Sequence, residues 1–426
     1  MNQNAEDAAT ALGQLSDFNL LVRKTTSIST DEAGPLTGMP VVVKANIAIA
    51  DLPQCGASPA LQNNIATQSA SVVDRLLKAG AVVVGQANMH ELAFGITSHN
   101  TEYGPVGNPA APGHMSGGSS GGTAAAIASG AVSMGLGTDT GGSGRLPAAM
   151  CGCTGFRPTH GRYPADGVLT LSSSFDTVAP MARSVAGVRA LDAVLSDNPL
   201  AEPVPPARIR LGVVTDALWQ DVDAGMVEAC KLILDRLVTA EGVELIPLSA
   251  PDLLSSCADL SMGIVVYETK AFWEPFLAKR GTTLAEFADQ IASPDVAGIF
   301  RLVADGAAPT KEAYEEMVGP KRRTVQNMMA DPLSDVDALV MPALPITAPP
   351  IGETETCRIN GETVDLFTAM TQRALVASVA GYPAISLPAG KLDLLPFGLE
   401  FIGKPGQDDA LLALASELEQ MIGVVG

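Results

Sequence analysis

The sequence predicts an α/β protein in which helices pack on a central, largely buried β-sheet. Short β-prone apolar runs alternate with helical segments between Met39 and Pro147, and sheet-like segments return near the C-terminus. Hydrophobic residues make up 47% of the 426-residue chain and charged residues 17%, enough for a large core.

Residues 1–34 read as one short helix followed by an irregular connection. The run Met39 to Ala50 (MPVVVKANIAIA) reads as a strand buried on both faces, with Lys44 its only charged residue. Ser69 to Ala79 has a capping serine, apolar positions at helical spacing and Gly80 as a stop, and Ala81 to Gly85 then reads as a strand. An Ala-rich helix over Gly121 to Gly130, a strand over Ser133 to Gly137, a glycine-rich turn and a helix starting near Pro147 continue the alternation. Beyond Val178-Ala179-Pro180 come a capped helix at Ser184 to Leu195 and a Pro-rich linker at Asn198 to Pro206. A strand at Arg208 to Val214, a helix at Asp223 to Thr239 and a strand at Val243 to Pro247 follow. The region from about 251 to 331 reads as a mostly helical insertion or cap, including Ile264 to Arg280 and Thr310 to Ala330, and carries Trp273. Strands at Ala338 to Pro342, Ala384 to Pro388 and Phe397 to Gly403 and helices at Leu366 to Ala380 and Asp408 to Met421 close the chain. A last strand pairing back into the first half's sheet makes residues 1–426 one domain.

A formal charge of −20 repels phosphate backbones and anionic lipid headgroups, so neither nucleic acid nor membrane is an expected partner. No run of 18 apolar residues suggests a membrane span. The start, MNQNAEDAATALGQL, has no basic region leading into an apolar one, which points to a cytoplasmic protein. Six scattered cysteines, at 55, 151, 153, 230, 257 and 357, read as buried thiols rather than a disulfide or metal framework. A homodimer is compatible with the sequence.

Two glycine-bracketed serines mark the chemistry: Ser119 in Gly117 to Gly122 and Ser143 in Gly141 to Gly144. A glycine-rich turn at a helix N-terminus presents unpaired N–H groups and the positive dipole end, so Thr140-Gly141-Gly142-Ser143 can form an oxyanion hole. A phosphate loop is the competing reading. Gly398 to Lys404 gives G-x-x-x-x-G-K, but Pro405 stands where Ser/Thr would ligate magnesium. Ser119 also satisfies G-x-S-x-G, the nucleophile elbow of α/β-hydrolases. Of the four histidines only His160 follows it, too early for that fold's usual order. Lys44 is the candidate base, since a strand lysine among apolar neighbours is desolvated and its neutral amine can accept a proton.

VVVKANI, GGSSGGTAAAIASG and GTDTGGSGRLPA together resemble the amidase signature family, closely from Gly38 to about Arg183 and loosely beyond. The resemblance implies the amidase-signature fold, a central mixed β-sheet covered by helices on both faces. It also implies a Ser-Ser-Lys triad, with Ser143 the nucleophile, Ser119 the proton relay and Lys44 the base. An acyl-enzyme on Ser143, an oxyanion held by the N–H groups of Thr140, Gly141, Gly142 and Ser143, and no metal or cofactor complete the implied mechanism. The family further implies a cis Gly118–Ser119 peptide and places Ala93 beside the scissile carbonyl. Asp139 and Arg145 flank the nucleophile turn and are expected to pair beneath it. Two departures are visible: Gly144 stands where the family usually has an aliphatic residue, expected to enlarge the pocket or loosen the turn, and the segment before Lys44 is short.

Within the family, Asn88 to Thr97 and Gly152 to Thr159 are similar to bacterial indoleacetamide and mandelamide hydrolases. That likeness implies a small, aryl-substituted amide releasing ammonia, with pocket walls supplied by 251–331. A carbamate (urethane) or aryl-acylamide hydrolase with the same triad is the alternative. The catalytic subunit of a tRNA-dependent amidotransferase is a more distant one, since the acidic charge does not favour tRNA.

Overall fold

The computed structural model describes residues 4–423 apart from 31, 200–203, 205, 207 and 240–242, so the expected linker at Asn198 to Pro206 lies largely outside the described residues. Its strands, in chain order, are β1 (Leu21–Ile28), β2 (Pro40–Lys44), β3 (Val82–Ala87), β4 (Met134–Asp139), β5 (Thr154–Arg157), β6 (Thr177–Ala182) and β7 (Ile209–Val214). They continue with β8 (Val243–Leu248), β9 (Ala338–Pro342), β10 (Thr356–Ile359), β11 (Glu362–Asp365), β12 (Ala384–Leu392) and β13 (Leu395–Ile402).

Eleven of these form one mixed sheet in the order β1-β3-β2-β4-β6-β5-β12-β13-β9-β7-β8, and β10 and β11 form a separate hairpin. β3, β2 and β4 run parallel, as do β9, β7 and β8, while the strands between the two groups pair antiparallel. The expected return of the chain is the β12–β5 ladder, with Ala384 opposite Arg157 and Ser386 opposite Gly155. Helices cover the sheet, and every residue of β2, β4, β5 and β6 is buried. That explains why β2 reads as unbroken valine rather than as an alternating strand.

Boundaries differ from expectation where local chemistry intervenes. The Met39 to Ala50 run is a strand only from Pro40 to Lys44, and the chain then turns, with Ile47 N–H donating to Lys44 C=O at 2.9 Å. β1 falls in a stretch read as irregular, because an edge strand carrying Arg23, Lys24 and two threonines lacks an apolar signature. β6 was hidden by Pro180, which nevertheless sits opposite Leu136 in the middle of a buried ladder. The helix read over Thr310 to Ala330 divides into Lys311–Glu316, a π-turn at Met317–Lys321 containing Pro320, and Arg322–Ser334. Where caps were legible, helices start as expected: Ser184 Oγ accepts from Gly187 N–H at 3.4 Å ahead of Val185–Ser196.

The helical region begins with a 26-residue helix, Leu253–Ala278, followed by Leu284–Ala288 and Pro294–Ala304. These three helices share an aromatic cluster in which the Trp273 ring lies 5.2 Å from Phe287 and 5.3 Å from Phe300. Phe300 in turn meets Phe94 edge-on at 5.2 Å, so the cap's core is continuous with the segment that follows β3. Trp273 is fully buried. Trp273→Ala is therefore expected to cost about 3–5 kcal/mol, read as a fall in the unfolding midpoint in denaturant.

Candidate active site

The site lies at the C-terminal ends of the parallel neighbours β2 and β4, a usual ligand position in open α/β sheets. Their register, Val43 opposite Leu136, brings the two strand ends together, and the Lys44 side chain reaches across to Thr138. Lys44 Nζ is 2.8 Å from Ser119 Oγ and 2.8 Å from Thr138 Oγ1, and Asn46 Nδ2 donates to the same threonine at 3.2 Å. The lysine is completely buried, and loss of solvation pulls it down to about 7 against the opposing attraction of Asp139 and Asp176. An amine at that value is neutral for much of the time near pH 7 and able to take a proton.

Ser119 precedes the buried helix Gly121–Ala128, the Gly118–Ser119 peptide is cis, and Ser119 C=O accepts from His90 N–H at 3.1 Å. Ser120 ties this loop to the second serine: its N–H donates to Ser143 C=O at 3.2 Å, and its hydroxyl donates to Thr138 C=O at 3.1 Å. The structure thus brings Lys44, Ser119 and the Thr140–Ser143 turn together, as the sequence predicts.

Beneath the turn lies a buried charge cluster. Arg145 binds Asp139 in bidentate fashion, with Nε and Nη2 each 3.0 Å from a carboxylate oxygen, which confirms the expected pair. Arg157 adds a contact to Oδ1 at 3.0 Å and one to the Asp139 C=O at 2.8 Å, and Arg145 Nη1 also bonds Glu400. Burial alone would raise the Asp139 carboxyl, but the two guanidiniums hold it well below the usual carboxylate range. Burial pushes Glu400 up to about 7 and Arg157 down to about 10. The sequence reading missed Arg157 and Glu400. Arg157 lies in the GCTGFRPT stretch already compared with relatives, whereas nothing near Glu400 marks it before β13 is known to end beside helix Arg145–Cys151.

Asp139 also organises the turn itself, accepting from Gly142 N–H at 3.0 Å and Gly144 N–H at 3.1 Å. Gly142, at φ +110°, thereby turns its amide to the carboxylate, while the amides of Thr140, Gly141 and Ser143 are not engaged by it. Thr140 Oγ1 donates to Asp176 Oδ1 at 2.7 Å, and burial pushes that carboxyl up to about 6.

A pocket of about 700 Å³, part of it open to solvent, has Ser143, Thr140, Gly141 and Ala93 in its wall. Phe94, Ile96, Leu171, Phe175, Met262 and Val265 give it an apolar lining, and among the described residues no charged side chain lines it. The cap region supplies Ser261, Met262, Val265 and Ile299, as the sequence suggests; helix Leu366–Ala380 supplies Phe367, Thr371 and Leu375, which it did not. Leu92 and Ala93 both have positive φ, +52° and +71°, a strained pair at the pocket wall.

Other readings of the sequence fall away. The His160 ring bonds Ser173 C=O at 3.0 Å and the His90 ring bonds Asp295 at 2.9 Å, so neither imidazole serves Ser119. The G-x-x-x-x-G-K segment forms most of β13, a paired strand rather than a phosphate loop. Gly144 does not open the pocket: a Cβ there would lie 2.6 Å from Ala179 Cβ, away from the lining residues. Among the described residues no group of three or more His, Cys, Asp or Glu side chains is placed to hold a metal ion, and no helix is long and apolar enough to cross a membrane.

The Amidase family profile matches residues 21–412, nearly the whole chain and all of this site. The chain belongs to the Amidase family. The chain is 38% identical to the indoleacetamide hydrolase of Agrobacterium vitis over 98% of its length and 91% of that protein. It is 35% identical to the mandelamide hydrolase of Pseudomonas putida, covering 98% of this chain and 84% of that one. Among solved structures it superposes on an amidase at a TM-score of 0.88 and 30% identity, over 99% of this chain and 97% of the other. The peptide amidase of Stenotrophomonas maltophilia follows the same fold at a TM-score of 0.81 and 26% identity, over 98% of this chain and 93% of that one. The protein is therefore an amidase-signature amidohydrolase, acting on C–N amide bonds.

In this amidase the space beside Gly144 is filled by Ala179 from β6. Gly144→Val should lower stability by about 1–3 kcal/mol through overpacking, and Gly144→Val combined with Ala179→Gly should recover part of the loss, both read from thermal unfolding.

Proposed function

We propose that the protein hydrolyses a small, aryl-substituted amide through an acyl-enzyme on Ser143. The observation that carries this reading is the buried Lys44 amine, 2.8 Å from Ser119 Oγ and pulled down to about 7. Neutral Lys44 takes the Ser119 proton as Ser119 takes that of Ser143, and the Ser143 oxygen attacks the carbonyl carbon. The amides of Thr140, Gly141 and Ser143 hold the oxyanion, with Gly142 locking the turn through Asp139. Collapse of the tetrahedral intermediate breaks the C–N bond, and the leaving nitrogen receives the proton back through Ser119. Water, deprotonated along the same route, then releases the acid and restores Ser143.

The uncharged, aromatic-lined pocket supports an apolar acyl group, in keeping with the likeness to an indoleacetamide hydrolase and a mandelamide hydrolase. The chemistry as proposed draws on groups of the chain, a small-molecule substrate and water. Carbamates and anilides present the same carbonyl to the same serine, so the deciding experiment is a panel of arylacetamides, aliphatic amides, anilides, carbamates and esters, with products identified by mass. Arylacetamides are expected to give the highest kcat/KM; preference for a carbamate would replace the amide assignment by the urethane one.

Ser143→Ala should lower kcat by several orders of magnitude while leaving the unfolding midpoint near wild type. In the wild type kcat/KM should rise from acid pH to a plateau, with a midpoint near 7, because only the deprotonated amine is active. A flat profile between pH 5 and 9 would remove Lys44 as the base.

A further inference from the structure

We propose that Asp176 is a positioning residue of the hydrolytic site, fixing the oxyanion turn through the Thr140 hydroxyl and the adjoining pocket wall through the backbone of Leu171 and Ser172. The proposal rests on the Ser143–Ser119–Lys44 reading and extends it to a group outside the triad.

Asp176 is half-buried, and its hydrogen bonds come from a hydroxyl and two backbone amides rather than from a cation. Leu171 N–H donates at 2.9 Å, Ser172 N–H at 3.1 Å to each oxygen, and Thr140 Oγ1 at 2.7 Å. A carboxylate that only closed its own loop would need the first two partners. The third is 36 residues away in sequence, in the turn that carries the nucleophile. Asp139 grips that turn from below at Gly142 and Gly144; Asp176 grips it from the side at Thr140. The same carboxylate holds Leu171, whose side chain lines the pocket with Phe175, so the turn and the wall are fixed against each other.

Glu268 braces the far side of this loop from the long cap helix, accepting from Ser174 N–H at 3.0 Å, from the Ser172 and Ser174 hydroxyls, and from Tyr314 Oη at 2.6 Å. The charged and titratable groups that face Asp176 are thus Lys44, Arg157, Glu268 and, across a second small cavity, His160. Of these, Lys44 is the one whose protonation governs turnover. A negative Asp176 stabilises its ammonium form, so neutralising Asp176 makes the amine easier to deprotonate.

The test uses Asp176→Asn, Thr140→Val and Thr140→Ser in the full chain, with the best amide of the panel as substrate and circular dichroism to confirm folding. Asp176→Asn keeps size and an acceptor oxygen but loses charge; its acid limb of kcat/KM should move to lower pH by about one unit. Thr140→Val should lower kcat about tenfold or more with a smaller change in KM, and Thr140→Ser should restore most of it. A purely structural role would lower the unfolding midpoint without moving the limb. A folded Asp176→Asn with the wild-type limb, or a Thr140→Val with wild-type kcat, overturns the proposal. If Asp176→Asn does not fold, the Thr140 pair decides. If the wild type shows no acid limb, it is the Lys44 assignment that fails, and the Thr140 pair again decides this one.

Discussion

The site depends on one buried carboxylate. Asp139 ends β4, accepts the amides of Gly142 and Gly144, and is held by both Arg145 and Arg157 with no exposure to solvent. Each partner belongs to a different part of the architecture: the glycine-rich turn, the helix that follows it, and β5. Through Arg145 the cluster also reaches Glu400 on β13 and the Ala374 C=O and Ser378 hydroxyl on helix Leu366–Ala380. The C-terminal third of the chain is in this way tied to a turn that lies more than 200 residues earlier. Removing one guanidinium would strand a buried charge, which typically costs 3–5 kcal/mol, and the geometry that binds substrate would go with it.

Much of this was legible in the sequence because it is local. The two glycine-bracketed serines, the buried strand lysine and the Asp139–Arg145 pair lie within short stretches whose residue types admit few alternatives. The mixed sheet with helices on its faces followed from the alternation of elements and from the family resemblance. What was not legible is what depends on distant pairing. Arg157 reaches Asp139 only through the β4–β6–β5 ladders, Glu400 reaches Arg145 only through the β5–β12–β13 ladders, and Asp176 becomes a partner of Thr140 only once β6 is laid beside β4. β6 itself was concealed by a proline that a buried ladder ordinarily rejects. Gly144 misled for a related reason, since the atom filling its space comes from another strand.

Lys44 shows what the site costs the fold. An unfolded lysine titrates near 10.4, whereas the folded one is held at about 7. Between those values the unfolded chain binds the extra proton, so stability attributable to this residue rises with pH across that window and is lowest at and below neutrality. A core residue chosen for stability alone would carry no amine, and the burial that lowers the Lys44 amine is a standing penalty on folding near neutral pH.

The absence of charge from the pocket wall has a consequence for the other end of the catalytic cycle. Amide hydrolysis takes in a neutral molecule and, near pH 7, yields a carboxylate. The pocket's aromatic and aliphatic lining suits the first but, among the described residues, offers the second no cation. On the proposed reading the product is thus the poorer ligand for the cavity, and its need for hydration favours its release to solvent.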